Sequence, residues 1–74
     1  MNNKFAETLR KKREEKSMTK KDVAESFNWT PMYYGRYENG YLLPNKANYD
    51  RFAKFMGISV SELEELIIDA TKNE

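Results

Sequence analysis

Two helix-start signatures stand close together in this chain, at Thr19-Lys20-Lys21-Asp22 and at Thr30-Pro31, and they constrain the fold more than any other feature. The first has the form of a capping box, in which an acidic side chain at the third helical position reaches back to the threonine cap. The second pairs a threonine N-cap with a proline at the first helical position, where a missing N–H costs nothing. Between them Val23, Ala24 and Phe27 have helical spacing, and Asn28 is a residue that tolerates the left-handed backbone of a tight turn. The second segment runs to about Asn39, with Gly40 as its stop. Two helices of roughly eight residues, joined by a turn of about three or four, cross at a steep angle and expose the second along its length.

The flanking sequence is helical in the same way. A first helix spans about Asn3 to Lys16, with Phe5 and Leu9 on one face and charges around the rest, and Ser17 closes it. Pro44-Asn45 marks the next boundary, after which one helix from about Lys46 to Met56 places Tyr49, Phe52, Ala53 and Met56 on a common face before Gly57. Ser59-Val60-Ser61-Glu62 is a second capping box, opening a last helix with Leu63, Leu66 and Ile67 on one side. No segment alternates apolar and polar residues as a half-buried strand would. The expectation is therefore an all-α, compact five-helix domain over residues 1–70, its helix-turn-helix at about 19–40, with a frayed tail at Thr71–Glu74.

Composition narrows the function. With 74 residues there is room for one domain, and 34% charged residues leave no place for an apolar membrane span of roughly 20 residues. Met1-Asn2-Asn3-Lys4 leads straight into charged sequence, so no signal peptide is expected. The chain has neither cysteine nor histidine, which removes disulfides, thiolate nucleophiles and the usual general base and metal ligands. A chain of this length also has little surface to enclose a substrate cavity of ~300 Å³. An enzyme is not expected, nor a cofactor or metal. The net charge of +1 conceals an asymmetry: residues 1–46 carry ten Lys/Arg against six Asp/Glu, and residues 47–74 carry three against six. A basic half suits a polyanion and an acidic half suits solubility or a protein contact.

An exposed second helix of this kind fits the major groove of B-DNA, although an ordinary helical hairpin in a bundle has the same spacing. The residues themselves carry a resemblance. Leu9 and Arg13 on the first helix, Met18-Thr19-Lys20, Val23-Ala24, the set Tyr34, Tyr37, Glu38 and Gly40, then Pro44, and finally Phe52-Ala53 with Met56-Gly57-Ile58-Ser59 occur in an order and spacing that is jointly specific. Over about Phe5 to Ile68 the chain resembles the Cro/CI-type helix-turn-helix family of phage and plasmid repressors. The resemblance implies a compact repressor-like domain that binds double-stranded DNA sequence-specifically, with its third helix in the major groove. It further implies a transcriptional regulator, a repressor, that is cytoplasmic, bacterial or phage-encoded, and a homodimer. It also supplies Glu38 as the partner of Arg13, which lies on the Leu9 face and needs a carboxylate if buried. The alternative is an arginine that reaches water over apolar neighbours.

Carried over position by position, the resemblance places base-edge contacts at Pro31, Met32, Tyr33 and Arg36. Arg36 is suited to guanine O6 and N7. Tyr33 is suited to a thymine methyl, to a phosphate or to packing on Trp29, and Met32 to apolar contact. Phosphate contacts fall at Thr19, Lys20, Thr30, Asn39 and Tyr41, with Thr30 first of all a cap. Val60 and Leu63 fall in the region that forms the dimer contact in related repressors, and Phe55, one position off the main stripe of its helix, is a third candidate; plain core packing is the other reading of all three. Gly35 sits inside the exposed helix, where it either permits close approach of a partner or is simply tolerated. The chain departs from its relatives at Lys20, Pro31 and Met32, where they often carry glutamine or other polar residues, and at Tyr41-Leu42-Leu43, where their loop is often basic. Either Leu42 or Leu43 folds under as core, or this loop is an apolar patch suited to a protein. A helix-turn-helix scaffold that binds a protein, as an inhibitor or antirepressor does, is therefore the competing class.

Overall fold

In the computed structural model, which describes residues 3–72, every helix start but one is held by a side chain. The elements are α1 (Lys4–Glu15), α2 (Lys20–Ser26), α3 (Pro31–Glu38), a 3₁₀ turn (Lys46–Asn48), α4 (Tyr49–Met56) and α5 (Val60–Lys72), with no strand among the described residues. Asn3 caps α1 by accepting from the Ala6 N–H at 2.7 Å. Both capping boxes form: the Thr19 hydroxyl accepts from the Asp22 N–H at 3.0 Å and the Asp22 carboxylate from the Thr19 N–H at 3.0 Å. Ser59 and Glu62 do the same at 3.1 and 3.2 Å. Thr30 accepts from the Tyr33 N–H at 3.1 Å.

The helix ends repeat a single device. Ser17, Asn28, Gly40 and Gly57 follow α1, α2, α3 and α4, and each has a positive φ, of 56°, 63°, 84° and 70°. In each case the next N–H reaches back five residues: Met18 to Arg13, Trp29 to Ala24, Tyr41 to Arg36 and Ile58 to Ala53, at 2.8–3.2 Å. This Schellman arrangement satisfies carbonyls that the helix leaves open, and usually brings the residue after the turn onto the apolar face. Met18, Trp29 and Ile58 obey, lying half-buried against the core. Tyr41 does not, and stays 71% exposed.

The core gathers Phe5 and Leu9 of α1, Val23 and Ala24 of α2, Tyr34 and Tyr37 of α3, Phe52 and Met56 of α4, and Leu63 of α5. Its aromatic part is continuous. Phe52 lies 5.1 Å from Phe27, 5.1 Å from Tyr37 and 5.7 Å from Phe5, measured between ring centroids. Arg51 secures the end of α2 by donating to the Phe27 carbonyl at 2.7 Å, its guanidinium 4.9 Å from the Phe27 ring.

One expectation is corrected. The segment 46–56 is not one helix: residues 46–48 form a 3₁₀ turn, closed by Asn48 N–H to Asn45 carbonyl at 3.0 Å, and the side chain of neither Asn45 nor Asn48 accepts a capping bond. Without a cap the first turn tightens to i→i+3 bonding, and Tyr49, at the junction, is half-buried where Phe52, Ala53 and Met56 are buried. At the other end α5 extends through Thr71 and Lys72, and Ala70 is buried in the core. The remaining tail residues, Asn73 and Glu74, lie outside the described residues, as do Met1 and Asn2. Among the described residues no helix is long and apolar enough to cross a membrane.

Candidate nucleic-acid interface

The short helix α3 divides cleanly by face. Tyr34, Tyr37 and Glu38, at i, i+3 and i+4, turn inward and are buried, while Pro31, Met32 and Arg36 turn outward. The inward side is locked by charge as well as packing. Glu38, 3% exposed, accepts from Arg13 Nε at 2.6 Å and Nη2 at 3.2 Å, and also from the Tyr34 hydroxyl. Arg13 uses its remaining nitrogen on the Met18 carbonyl at 3.0 Å, so one guanidinium ties α1 to α3 and to the segment leading into α2. No buried side-chain polar atom among the described residues lacks a partner. The hydrogen bond from Arg13 to Glu38 raises the arginine pKa further, and burial followed by the bond to Glu38 pushes the Tyr34 phenol well above the usual tyrosine range. The Arg13–Glu38 pair expected from the Leu9 face is thus present and nearly enclosed.

Outside, Pro31, Met32 and Arg36 are exposed. Met32 is 75% exposed. The Arg36 guanidinium has no ion pair or hydrogen bond among the described residues. Two open depressions flank it, one lined by Thr30, Met32, Tyr33 and Arg36, the other by Met32, Arg36, Asn39, Tyr41 and Leu42. Met32 and Arg36 line both, so they stand at the middle of this surface. Tyr33 is more committed: its ring meets the Trp29 ring edge-on at 4.9 Å, and its hydroxyl shares a hydrogen bond with that of Tyr37 at 3.1 Å. Burial and this bond push the Tyr37 phenol upward too. Pro31 is exposed at the first position of the helix.

Of the residues expected at phosphate, Thr30, Asn39 and Tyr41 border this surface, while Thr19 and Lys20 sit at the head of α2 and line neither depression. The capping box already engages the Thr19 N–H and hydroxyl. The bond from that N–H holds the Asp22 carboxyl below the usual carboxylate range. Lys20 is exposed beside them. In the loop, Leu42 and Leu43 both fold under, half-buried against the core, and leave Tyr41 outside.

The dimer candidates separate. Leu63 is fully buried and has no surface to offer, so it is core, held where α5 crosses α1 and α4. Val60 is 36% exposed, and Phe55 is half-buried with the Lys16 ammonium 5.4 Å above its ring. Sequence reasoning missed Arg51, whose partners lie 24 residues away, and Ile68, an exposed apolar residue on α5 whose only signal was its place off the Leu63–Leu66–Ile67 stripe. Among the described residues no three acidic side chains are grouped to hold a metal ion.

Two short helices packed together across a tight turn, an outward face on the second and a buried arginine–glutamate tie behind it define a helix-turn-helix domain. The model of the helix-turn-helix family, Cro/CI type, matches residues 9–63, and the chain belongs to that family of DNA-binding regulators. No curated protein and no solved structure gives a significant match to the chain.

Proposed function

We propose that this protein is a sequence-specific repressor, of bacterial or phage origin, that binds double-stranded DNA as a homodimer with α3 in the major groove. The observation that carries this reading is Arg36: a guanidinium without a partner among the described residues, at the middle of an exposed helix face held from behind by buried groups. In the groove such a side chain donates bidentately to guanine O6 and N7, worth ~1–3 kcal/mol of discrimination. Pro31, Met32 and Tyr33 complete the base-facing side. Lys20 supplies the phosphate charge, with Thr19, Thr30, Asn39 and Tyr41 beside the backbone. One module of this size covers ~600–1,000 Å² of DNA, so two copies on half-sites a helical turn apart double the contact. Phe55 and Val60 are the residues left to join them. The competing reading, a scaffold that binds a protein through residues 41–43, is weakened by the packing of Leu42 and Leu43, both half-buried, against the core. Selection of bound duplexes from a random pool, followed by a salt titration of the winner, tests the proposal. A shared motif and a steep loss of affinity with salt are expected. Binding that is indifferent to both sequence and salt would remove it.

A further inference from the structure

We infer that Met32 reads the C5-methyl group of a thymine within one or two base steps of the guanine met by Arg36. This rests on the DNA-binding reading above and gives the site a second, apolar letter. Met32 is the second residue of α3 and 75% exposed, at the end of the helix that enters the groove first. Its thioether is a weak acceptor with no donor, so it has almost nothing to exchange with the hydrogen-bonding edges of the bases. The apolar feature that the major groove offers such a side chain is the thymine methyl. An unbranched, polarizable side chain also adapts its shape to a small apolar target.

Position sets the spacing. Met32 and Arg36 are four residues apart on one face and line the same two depressions. At about 1.5 Å of rise per residue they stand about 6 Å apart along the helix, close to two base steps of about 3.4 Å. Tyr33, the neighbouring candidate for the same methyl, has its ring edge on Trp29 and its hydroxyl on Tyr37, and is 38% exposed against 75% for Met32.

The test changes the DNA and not the protein. In the duplex obtained by selection, each thymine of a half-site is replaced in turn by deoxyuridine, which keeps the pairing and removes the methyl. At one thymine, within two steps of the guanine whose preference Arg36→Ala abolishes, affinity should fall about fourfold, the worth of one buried methyl group. Met32→Ala should bind thymine and deoxyuridine duplexes equally, and Met32→Leu should keep the difference. Specific binding that ignores every deoxyuridine replacement overturns the inference and leaves the DNA reading intact. So does a methyl effect that persists in Met32→Ala. A protein that selects no duplex at all overturns both.

Discussion

Glu38 is the residue on which the recognition helix depends most, because it is almost without water and accepts from two side chains on different helices. Removing it leaves Arg13 largely buried without a carboxylate, its remaining bond being to the Met18 carbonyl, and breaking a buried pair from one side costs ~3–5 kcal/mol. Glu38→Ala should therefore lose ~3 kcal/mol or more in a urea denaturation series; a loss below about 0.5 kcal/mol is what an exposed pair gives. Arg36 and Lys20 should separate in the opposite sense, through DNA and not stability. Arg36→Ala should relax preference at one base pair by ~1–3 kcal/mol, while Lys20→Ala weakens all duplexes alike and reduces the slope of log K against log salt by about one. Gly35 is buried, and a Cβ there would meet no atom within 4 Å, so the glycine offers no backbone surface and fills no tight space. Gly35→Ala should stabilise the protein by ~1 kcal/mol, read from the same denaturation curves. At this scale Met32 and Arg36 were expected from the resemblance of the chain to its family, and the inward turn of Tyr34, Tyr37 and Glu38 leaves both exposed. The half-burial of both Leu42 and Leu43 beside an exposed Tyr41 was not legible in the sequence, since a loop has no period to read.

Each element here is bounded by local chemistry, which is why so much of the architecture could be read from the chain. Threonine and serine caps act on N–H groups three residues away, and the left-handed stops act within six residues; neither needs the rest of the fold. What escaped was whatever depends on distant partners or on a missing cap: the Arg51 bond to the end of α2, and the 3₁₀ turn left by the absence of a cap at Asn45. Two of the four stops use side chains where glycine is easier. Ser17, at φ 56°, carries a left-handed backbone with a Cβ attached. Ser17→Gly should raise stability by ~0.5–1 kcal/mol, the relieved strain exceeding the extra freedom gained by the unfolded chain. Thr30→Ala should lower it by ~1 kcal/mol through loss of the α3 cap. If instead its stability is unchanged and DNA affinity falls, the threonine serves phosphate first. Thermal melts followed by circular dichroism check both.

For the molecule as a whole, the alkaline limit is set inside the core. Tyr34 and Tyr37 both hold their protons more tightly in the folded state than the ordinary value of 10.0, chiefly because burial penalises the phenolate. A raised folded pKa gives stability that is complete below the unfolded value and declines as pH rises past it, because only the unfolded chain then releases the proton. Urea midpoints should therefore be flat up to about pH 9 and fall above about 10, and Tyr34→Phe should fall less steeply. The same buried cluster has an optical consequence. Trp29 is the single tryptophan of the chain, and it lies nearly parallel to Tyr37 at 5.3 Å, edge-on to Tyr33 at 4.9 Å and 5.6 Å from the Arg51 guanidinium. Its fluorescence therefore reports from the joint where α2 meets α3, one residue away from the face that carries Met32 through Tyr33. A ligand settling on that face is detectable by emission alone, in the unmodified protein, without a dye on either partner.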